Sequence, residues 1–362
     1  MDVSSYFSTV KDFRVSGRCL HLLSDILGLV LVAILADCDD FSEIYDYGTQ
    51  NIAFLRSDLG FSFANGIPSE DTLERVFKHL KTNELAKCYQ AFLGDLSLTT
   101  KQICLDGKEL RSTIPTGHKH ALVRMVTAWV VELGLSFGQY QVGEKTNEIV
   151  AIPALLSVLD CKGAVLSLDA IGCQKNIVSQ IRDQGAEYVS SLKGNQGELH
   201  QQVAQEFALK SANLPSHEHT EKQGGRTETR KVTVCSQPKW VENQLQWKDL
   251  TSVVMVERNR VIKGEEQLSK AFYITSLVNP TPEKIAHSIR NHWAIENSLD
   301  WQLDLTFGED DAKIRTQNAI INLHQVRKWA LLLLKKLPEK ISIKRKRKKA
   351  HKDNEYLKKL LT

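Results

Sequence analysis

Three acidic residues stand where an acid is unfavourable unless it has a partner. Asp106 closes the apolar run Ile103-Cys104-Leu105, and Asp169 closes Val165-Leu166-Ser167-Leu168. Open sheets with parallel strands place ligand sites beyond the carboxyl ends of the strands. If these two runs are neighbouring strands, their carboxylates meet and repel unless a cation or a shared proton intervenes. Glu296 lies three residues after Trp293, on the stripe Ile289, Trp293, Leu299 and Leu303 of an expected helix, with His292 and Asp300 one turn either side. Burying a lone carboxylate costs several kcal/mol. For Glu296 two readings follow: a salt bridge to Arg290 or Arg315, or a metal cluster with the two strand-end acids. Three converging carboxylates suit Mg2+, with Mn2+ as the alternative. Two such ions about 3.5–4 Å apart can clamp the attacking and leaving oxygens of an in-line phosphoryl displacement. The residues alone reach a metal-dependent nuclease or strand transferase.

The elements that must position these acids can be read in order. Residues 1–95 read as helical: Ser24 and Asp25 cap a helix from Ile26, a second covers Ser42 to Leu55, and Ser69 caps one over Glu70 to Leu80. This turn-then-helix chemistry fits a helix-turn-helix reader or a small packed helical domain. From about 100 the pattern becomes a strand at Gln102 to Asp106 and a hairpin from Leu122 to Val131 and Leu135 to Val142. A helix at Glu148 to Leu159, a strand at Ala164 to Asp169, a helix at Cys173 to Gln184 and a strand at Ala186 to Leu192 follow. That order predicts an α/β fold, a mixed sheet with helices on both faces. The next segment breaks the rhythm. Ser216 to Thr229 reads as a loop, followed by strand-like runs at Arg230 to Cys235, Thr251 to Glu257 and Ala271 to Leu277, a β-rich insertion. Pro282 suits the first turn of a helix reaching about Leu303, and a last helix runs from about Gln317 to Leu337. The expected organisation is a helical domain (1–95), a catalytic core (96–200 and 276–337), the insertion (201–275) and a basic tail (338–362).

Composition narrows the class. The chain of 362 residues, 42% hydrophobic and 25% charged, is that of an ordinary soluble globular protein. The net charge of +4 is unevenly spread: Lys340 to Thr362 holds ten Lys/Arg against Asp353 and Glu355. Charge gathered at one end suits a polyanionic partner, and Lys344, Arg345, Lys346 and Arg347 are candidate DNA contacts. A solvated tail is the plainer alternative. Seven scattered cysteines with no C-x-x-C pair exclude a zinc or disulfide framework and fit a reducing cytoplasm. No signal peptide opens the chain, and the longest apolar run, Ile26 to Ala36, is about half of the ~20 residues a membrane span needs. No membrane partner is expected.

Five ordered blocks resemble the H-repeat-associated insertion-sequence transposases, a bacterial group within the DDE superfamily. They are Leu105-Asp106-Gly107-Lys108-Glu109-Leu110-Arg111; Gly143-Glu144-Lys145-Thr146-Asn147-Glu148-Ile149 with Ala151-Ile152-Pro153; Leu168-Asp169-Ala170-Ile171-Gly172-Cys173-Gln174-Lys175; Leu192-Lys193-Gly194-Asn195-Gln196; and Ile289 to Asn297, continued by Glu309-Asp310-Asp311 and Arg315. The resemblance implies an RNase H-like core with the β-rich insertion before the last acid, and Asp106, Asp169 and Glu296 as catalytic residues holding two Mg2+ or Mn2+ ions. It implies strand cleavage and strand transfer on double-stranded DNA, both element ends and target, by a homodimer in the DNA complex. Lys108, Arg111, Lys145, Lys193, Asn195, Arg290 and His292 are the further candidate DNA contacts. Structural roles compete at several of them: a turn at Gly194-Asn195 and a helix cap at Lys145 and Asn147. The sequence departs from the wider superfamily, which has Tyr, Arg and Lys where Ile289, His292 and Leu303 stand. Asp300 replaces a His usual in relatives, placing a fourth carboxylate one turn from Glu296. A nuclease without strand transfer and a degenerate DNA-binding relative are the alternatives.

Overall fold

The computed structural model describes residues 3–15, 17–94, 102–110, 123–131, 134–142, 148–223, 226–240, 246–262, 265–293, 301–309, 312, 314 and 316–361. The N-terminal segment is helical: α1 (Val3–Phe7), α2 (Leu23–Leu35), α3 (Phe41–Gln50), α4 (Ile52–Ser57), α5 (Glu70–His79) and α6 (Thr82–Gly94). Helix α2 is apolar all round and accordingly buried on nearly every side. It begins at Leu23 with no side-chain cap. Asp25 is not the expected cap; its carboxylate accepts the Ser62 N–H at 2.9 Å and pins the loop before α5. The expected second helix divides at Asn51, and its start is capped by Asp40, which accepts the Glu43 N–H at 2.8 Å. Ser69 stands at the N-cap position of α5, but its hydroxyl meets Thr72 Oγ1 at 3.0 Å rather than a backbone N–H.

Nine strands form one mixed sheet: β1 (Gln102–Leu110), β2 (Val123–Val130), β3 (Leu135–Val142), β4 (Val165–Leu168), β5 (Glu187–Leu192), β6 (Ser216–Gln223), β7 (Arg226–Ser236), β8 (Ser252–Ile262) and β9 (Glu265–Thr275), in the order β3-β2-β1-β4-β5-β9-β8-β7-β6. β4 pairs in parallel with both β1 and β5, and the remaining pairs are antiparallel. Helices α7 (Glu148–Leu156), α8 (Lys175–Asp183), α9 (Gly197–Lys210), α10 (Pro282–His292), α11 (Trp301–Thr306) and α12 (Gln317–Lys336) complete the layers.

The pleat sorts residues onto two faces. Leu166, Leu168, Tyr188, Leu192, Val253 and Ile274 join α7, α8 and α9 in the large core. The alternate residues Val165, Val189, Val254 and Val256 join Ile285 and Ile289 of α10 in a smaller one. Helices therefore cover both faces, as the element order predicts.

Two expectations are corrected. Ser216 to Thr229 is not a loop but β6 and the start of β7. The segment lacks apolar alternation because cross-strand polar pairs stabilise it instead, among them Thr220 with Thr229 at 2.9 Å and Glu221 with Arg230 at 3.5 Å. The insertion strands also continue the core sheet, since β9 pairs antiparallel with β5 from Val189↔Thr275 to Leu192↔Phe272. The basic tail, in turn, is folded into α13 (Ile343–Lys352) and α14 (Asn354–Leu361), with Ala350, Tyr356, Leu357 and Leu360 in the main core.

Candidate active site

Asp106 does not end its strand. β1 runs on to Leu110 against β2, while its parallel pairing with β4 stops at Leu105↔Leu168. Asp106 and Asp169 are the next residue on each strand, side by side where the parallel ladder ends. Alternation assigns them to the α10 face: Gln102 and Cys104 of β1 and Ser167 of β4 all bond α10, and the two acids continue those rows. Both acids line a cavity of about 290 Å3 together with Lys193, Arg258, His292 and Trp293. Acids placed beyond parallel strand ends occupy the usual ligand position of such sheets.

Local geometry holds each acid. Asp106 Oδ1 accepts the Gly107 N–H at 2.9 Å, and Asp169 Oδ1 accepts the Gly172 N–H at 3.0 Å, fixing the turn after β4. The Lys193-to-Gln196 turn clamps that loop, with Asn195 Nδ2 donating to the Ala170 carbonyl at 2.7 Å and Gln196 Nε2 to the Cys173 carbonyl at 2.9 Å. Asn195 thus supports the Asp169 loop, and Lys193 is an exposed cation at the cavity. A Cβ at Gly107 would meet the Glu148 carboxylate at the start of α7, so a side chain there would have to displace the end of Glu148. By alternation Gly107 points away from the α10 face, so Glu148 lies on the other side of the sheet from the two aspartates.

A polar chain docks α10 above the acids. Gln102 Nε2 donates to the Ser288 carbonyl at 2.8 Å and lies 3.3 Å from Ser167 Oγ, and its Oε1 accepts from Asn291 Nδ2 at 3.0 Å. Ser167 Oγ meets His292 Nδ1 at 3.1 Å. Burial pushes the His292 pKa down, and the nearby Asp169 charge opposes this only in part. Sequence reading missed Gln102 and Asn291, since polar residues inside an apolar strand and on a helix announce a partner but not which one.

Lys108 lies on the same face as Asp106, two residues on. Its Nζ is 2.8 Å from Asp304 Oδ1 of α11 and 3.0 Å from Glu309 Oε2, so its charge is matched inside the protein. Glu309 is fully buried and also meets His324 Nδ1 at 2.6 Å and Arg327 Nη1 at 3.7 Å, both on α12. Burial raises the Glu309 pKa, but the surrounding imidazole and cations overcome that and hold it far below the carboxylate range. Burial dominates at His324, pushed down to about 4. Facing an ionised acceptor, the neutral ring carries its hydrogen on Nδ1.

The tail candidates divide. Lys344 and Arg345 are exposed. Lys346 and Arg347 are corrected to structural roles. Lys346 Nζ donates to the Leu334 and Leu337 carbonyls at 2.7 and 2.6 Å, closing the end of α12. Arg347, fully buried, donates to the Ile34 carbonyl at 2.9 Å and pairs with Asp39 at 2.7 Å. Arg290 is half exposed and pairs with Glu221 of β6. Glu296, Asp300, Arg111, Lys145, Asn147, Asp310, Asp311 and Arg315 lie outside the described residues.

The donors suit a hard divalent cation. The backbone contact of each aspartate occupies one of the roughly four lone-pair positions that a carboxylate offers, and oxygen-only donors favour Mg2+ or Mn2+. Among the described residues no cluster of three His, Cys, Asp or Glu could hold a metal, so the two aspartates are the described part of any such site. No described helix is long and apolar enough to cross a membrane.

Comparisons with known proteins place the chain in a family. The family described as "Transposase DDE domain" matches residues 98–333, and "DDE_Tnp_1-associated" matches residues 4–93. The chain is 35% identical to the "H repeat-associated putative transposase YhhI" of Escherichia coli (strain K12), over 97% of this chain and 95% of that one. It is equally 35% identical to the "Putative transposase YncI" of Escherichia coli O157:H7, over 98% and 93%. Among solved structures, a piggyBac transposase synaptic complex with hairpin DNA is similar at a TM-score of 0.44 and 11% identity, covering 99% of this chain and 77% of that one.

Proposed function

The chain belongs to the transposase DDE-domain family, and we propose that it is an active DNA transposase that cuts and joins the strands of an insertion sequence in a metal-dependent reaction. The observation that carries the reading is the adjacency of Asp106 and Asp169 at the point where the β1–β4 parallel ladder ends. In this reading the stretch β3-β2-β1-β4-β5 is an RNase H-like core, supported by its three antiparallel strands followed by two parallel ones. Strands β6 to β9 are the insertion before the last acid.

Asp106 and Asp169 would hold the ions, with Glu296 as the expected third ligand. Two Mg2+ ions, when bound, supply charge at the scissile phosphate and an activated oxygen nucleophile. The chain's own residues place the DNA. Lys193 offers a charge to phosphate at the cavity, and His292 and Gln102 fix α10, the helix leading toward residue 296. Exposed Lys344 and Arg345 add nonspecific attraction to phosphate. DNA ends are joined in pairs, so a homodimer is the expected state in the complex, and the cytoplasm is the expected compartment.

The test supplies pre-nicked element ends and a target plasmid with Mg2+. Joined products that vanish in Asp106→Asn and Asp169→Asn, with DNA binding retained, support the proposal. Hydrolysis without joining points to a nuclease. Binding with no cleavage at all points to a degenerate relative.

A further inference from the structure

A second groove, of about 810 Å3, runs between α10 and β6–β8 and shares Val256, Arg258, Ile289 and Trp293 with the acid cavity. The two form one trough. Its floor is unusual in charge. Register places Arg230 directly opposite Arg258, and Glu228 opposite Arg260, on neighbouring strands. Alternation adds Arg226 to the same face. Like charges directly opposite one another destabilise a sheet. Glu228, only 3% exposed, is the single carboxylate among them. It contacts Arg226, lies 2.6 Å from Arg230, 3.3 Å from Arg258 and 3.1 Å from Arg260.

One carboxylate cannot neutralise four guanidinium groups. Nearby, Glu221 pairs with Arg290 and lies 3.5 Å from Arg230, and Glu283 at the rim lies 3.4 Å from His217. Counting Arg290, five arginines face three carboxylates. The Nε of Arg258 is buried and lies 3.3 Å from Glu228 Oε1 without an aligned hydrogen bond. The side chains of Arg230, Arg258 and Arg260 keep 28%, 24% and 35% of their surface open. A rigid row of part-exposed guanidiniums on a buried carboxylate is suited to a chain of phosphates, since Arg binds phosphate oxygens bidentately.

We propose that the arginine face of β7 and β8 binds the backbone phosphates of the DNA flanking the bond to be cut, with Glu228 as the positioning residue that holds the guanidiniums in line. The inference rests on the reading of Asp106 and Asp169 as the DNA-cleaving acids, because the groove adjoins them. The groove binds phosphate and not base edges, so it adds affinity and register without sequence preference.

The experiment measures binding of a DNA duplex carrying the element end to the full chain across a salt series, in wild type, Arg260→Gln and Arg230→Gln/Arg260→Gln. Each lost phosphate contact lowers the slope of log affinity against log salt by about 0.9. The double variant should lose about 1.8, so its deficit shrinks about 12-fold between about 50 and about 200 mM salt. Should the double variant not fold, the single rim variant still predicts a loss of about 0.9. A slope and affinity equal to wild type in a folded variant overturns the groove, whatever Asp106 and Asp169 do. A lowered slope alongside undiminished cleavage in Asp169→Asn upholds the groove and overturns the proposed chemistry.

Discussion

Glu309 offers a sharp test of how the region beyond Asp106 is held. Its buried carboxylate neutralises Lys108 of β1 and Arg327 of α12 and accepts from His324. Glu309→Gln keeps the shape and one acceptor but leaves buried Arg327 short of its counter-charge, while Lys108 keeps Asp304. Breaking a buried pair in this way costs about 3–5 kcal/mol. Unfolding entropy runs at about 2.1 cal/mol/K per residue. For 362 residues that amounts to roughly 0.8 kcal/mol/K, and the expected fall in Tm is about 4–7 °C. Calorimetry with Lys108→Met and the double variant closes a thermodynamic cycle. Glu309 keeps Arg327 and His324 when Lys108 is lost, so the single lysine variant should fall less, and a coupling of about 0.5–3 kcal/mol should emerge. Hydrogen exchange at residues 106–110 should accelerate in the same variants. A Tm within about 1 °C of wild type, or a strictly additive double variant, would refute the ionic latch.

Other expectations follow from the same contacts. His324 binds a proton less readily when folded, at about 4, than in the unfolded chain, near 6.5. Its contribution is therefore complete above about 6.5 and is lost as pH falls toward about 4, with the depressed Glu309 acting in the same direction lower down. Urea midpoints measured against pH should show this decline, and His324→Gln should flatten it. Gln102→Leu removes the side-chain donor to the Ser288 carbonyl and one of two partners of the Asn291 amide, costing about 1–3 kcal/mol; cleavage assays should show a fall in kcat larger than any rise in KM. Arg347→Met should destabilise by about 3–5 kcal/mol, while Lys344→Ala with Arg345→Ala should stay within about 0.5 kcal/mol of wild type by thermal melting and weaken DNA binding.

Short-range periodicity made much of this protein legible before any coordinates. The runs ending at Asp106 and Asp169, the hairpin of β2 and β3 and the helices α5, α7, α8 and α12 each carry their signal within a few residues. The two aspartates were conspicuous because an acid abutting an apolar strand needs a partner. Segments whose stability comes from distant chain gave no such signal. β6 and the first residues of β7 read as a loop because their partners are charges on other strands. Charged residues recur at every second position, at Arg226, Glu228 and Arg230 and again at Arg258 and Arg260, which could have hinted at one face, but only register puts them opposite one another.

The local sequence determined which residues can be strand, helix and acid, because side-chain alternation and helical spacing are encoded over a handful of neighbours. Tertiary structure alone decided which acids meet, by pairing β1 with β4 across more than fifty intervening residues. It alone separated exposed Lys344 and Arg345 from buried Lys346 and Arg347, four consecutive cations of one composition. The physical reason is helical phase against a neighbour: two of the four point at the carbonyls of α2 and α12, and two point at water.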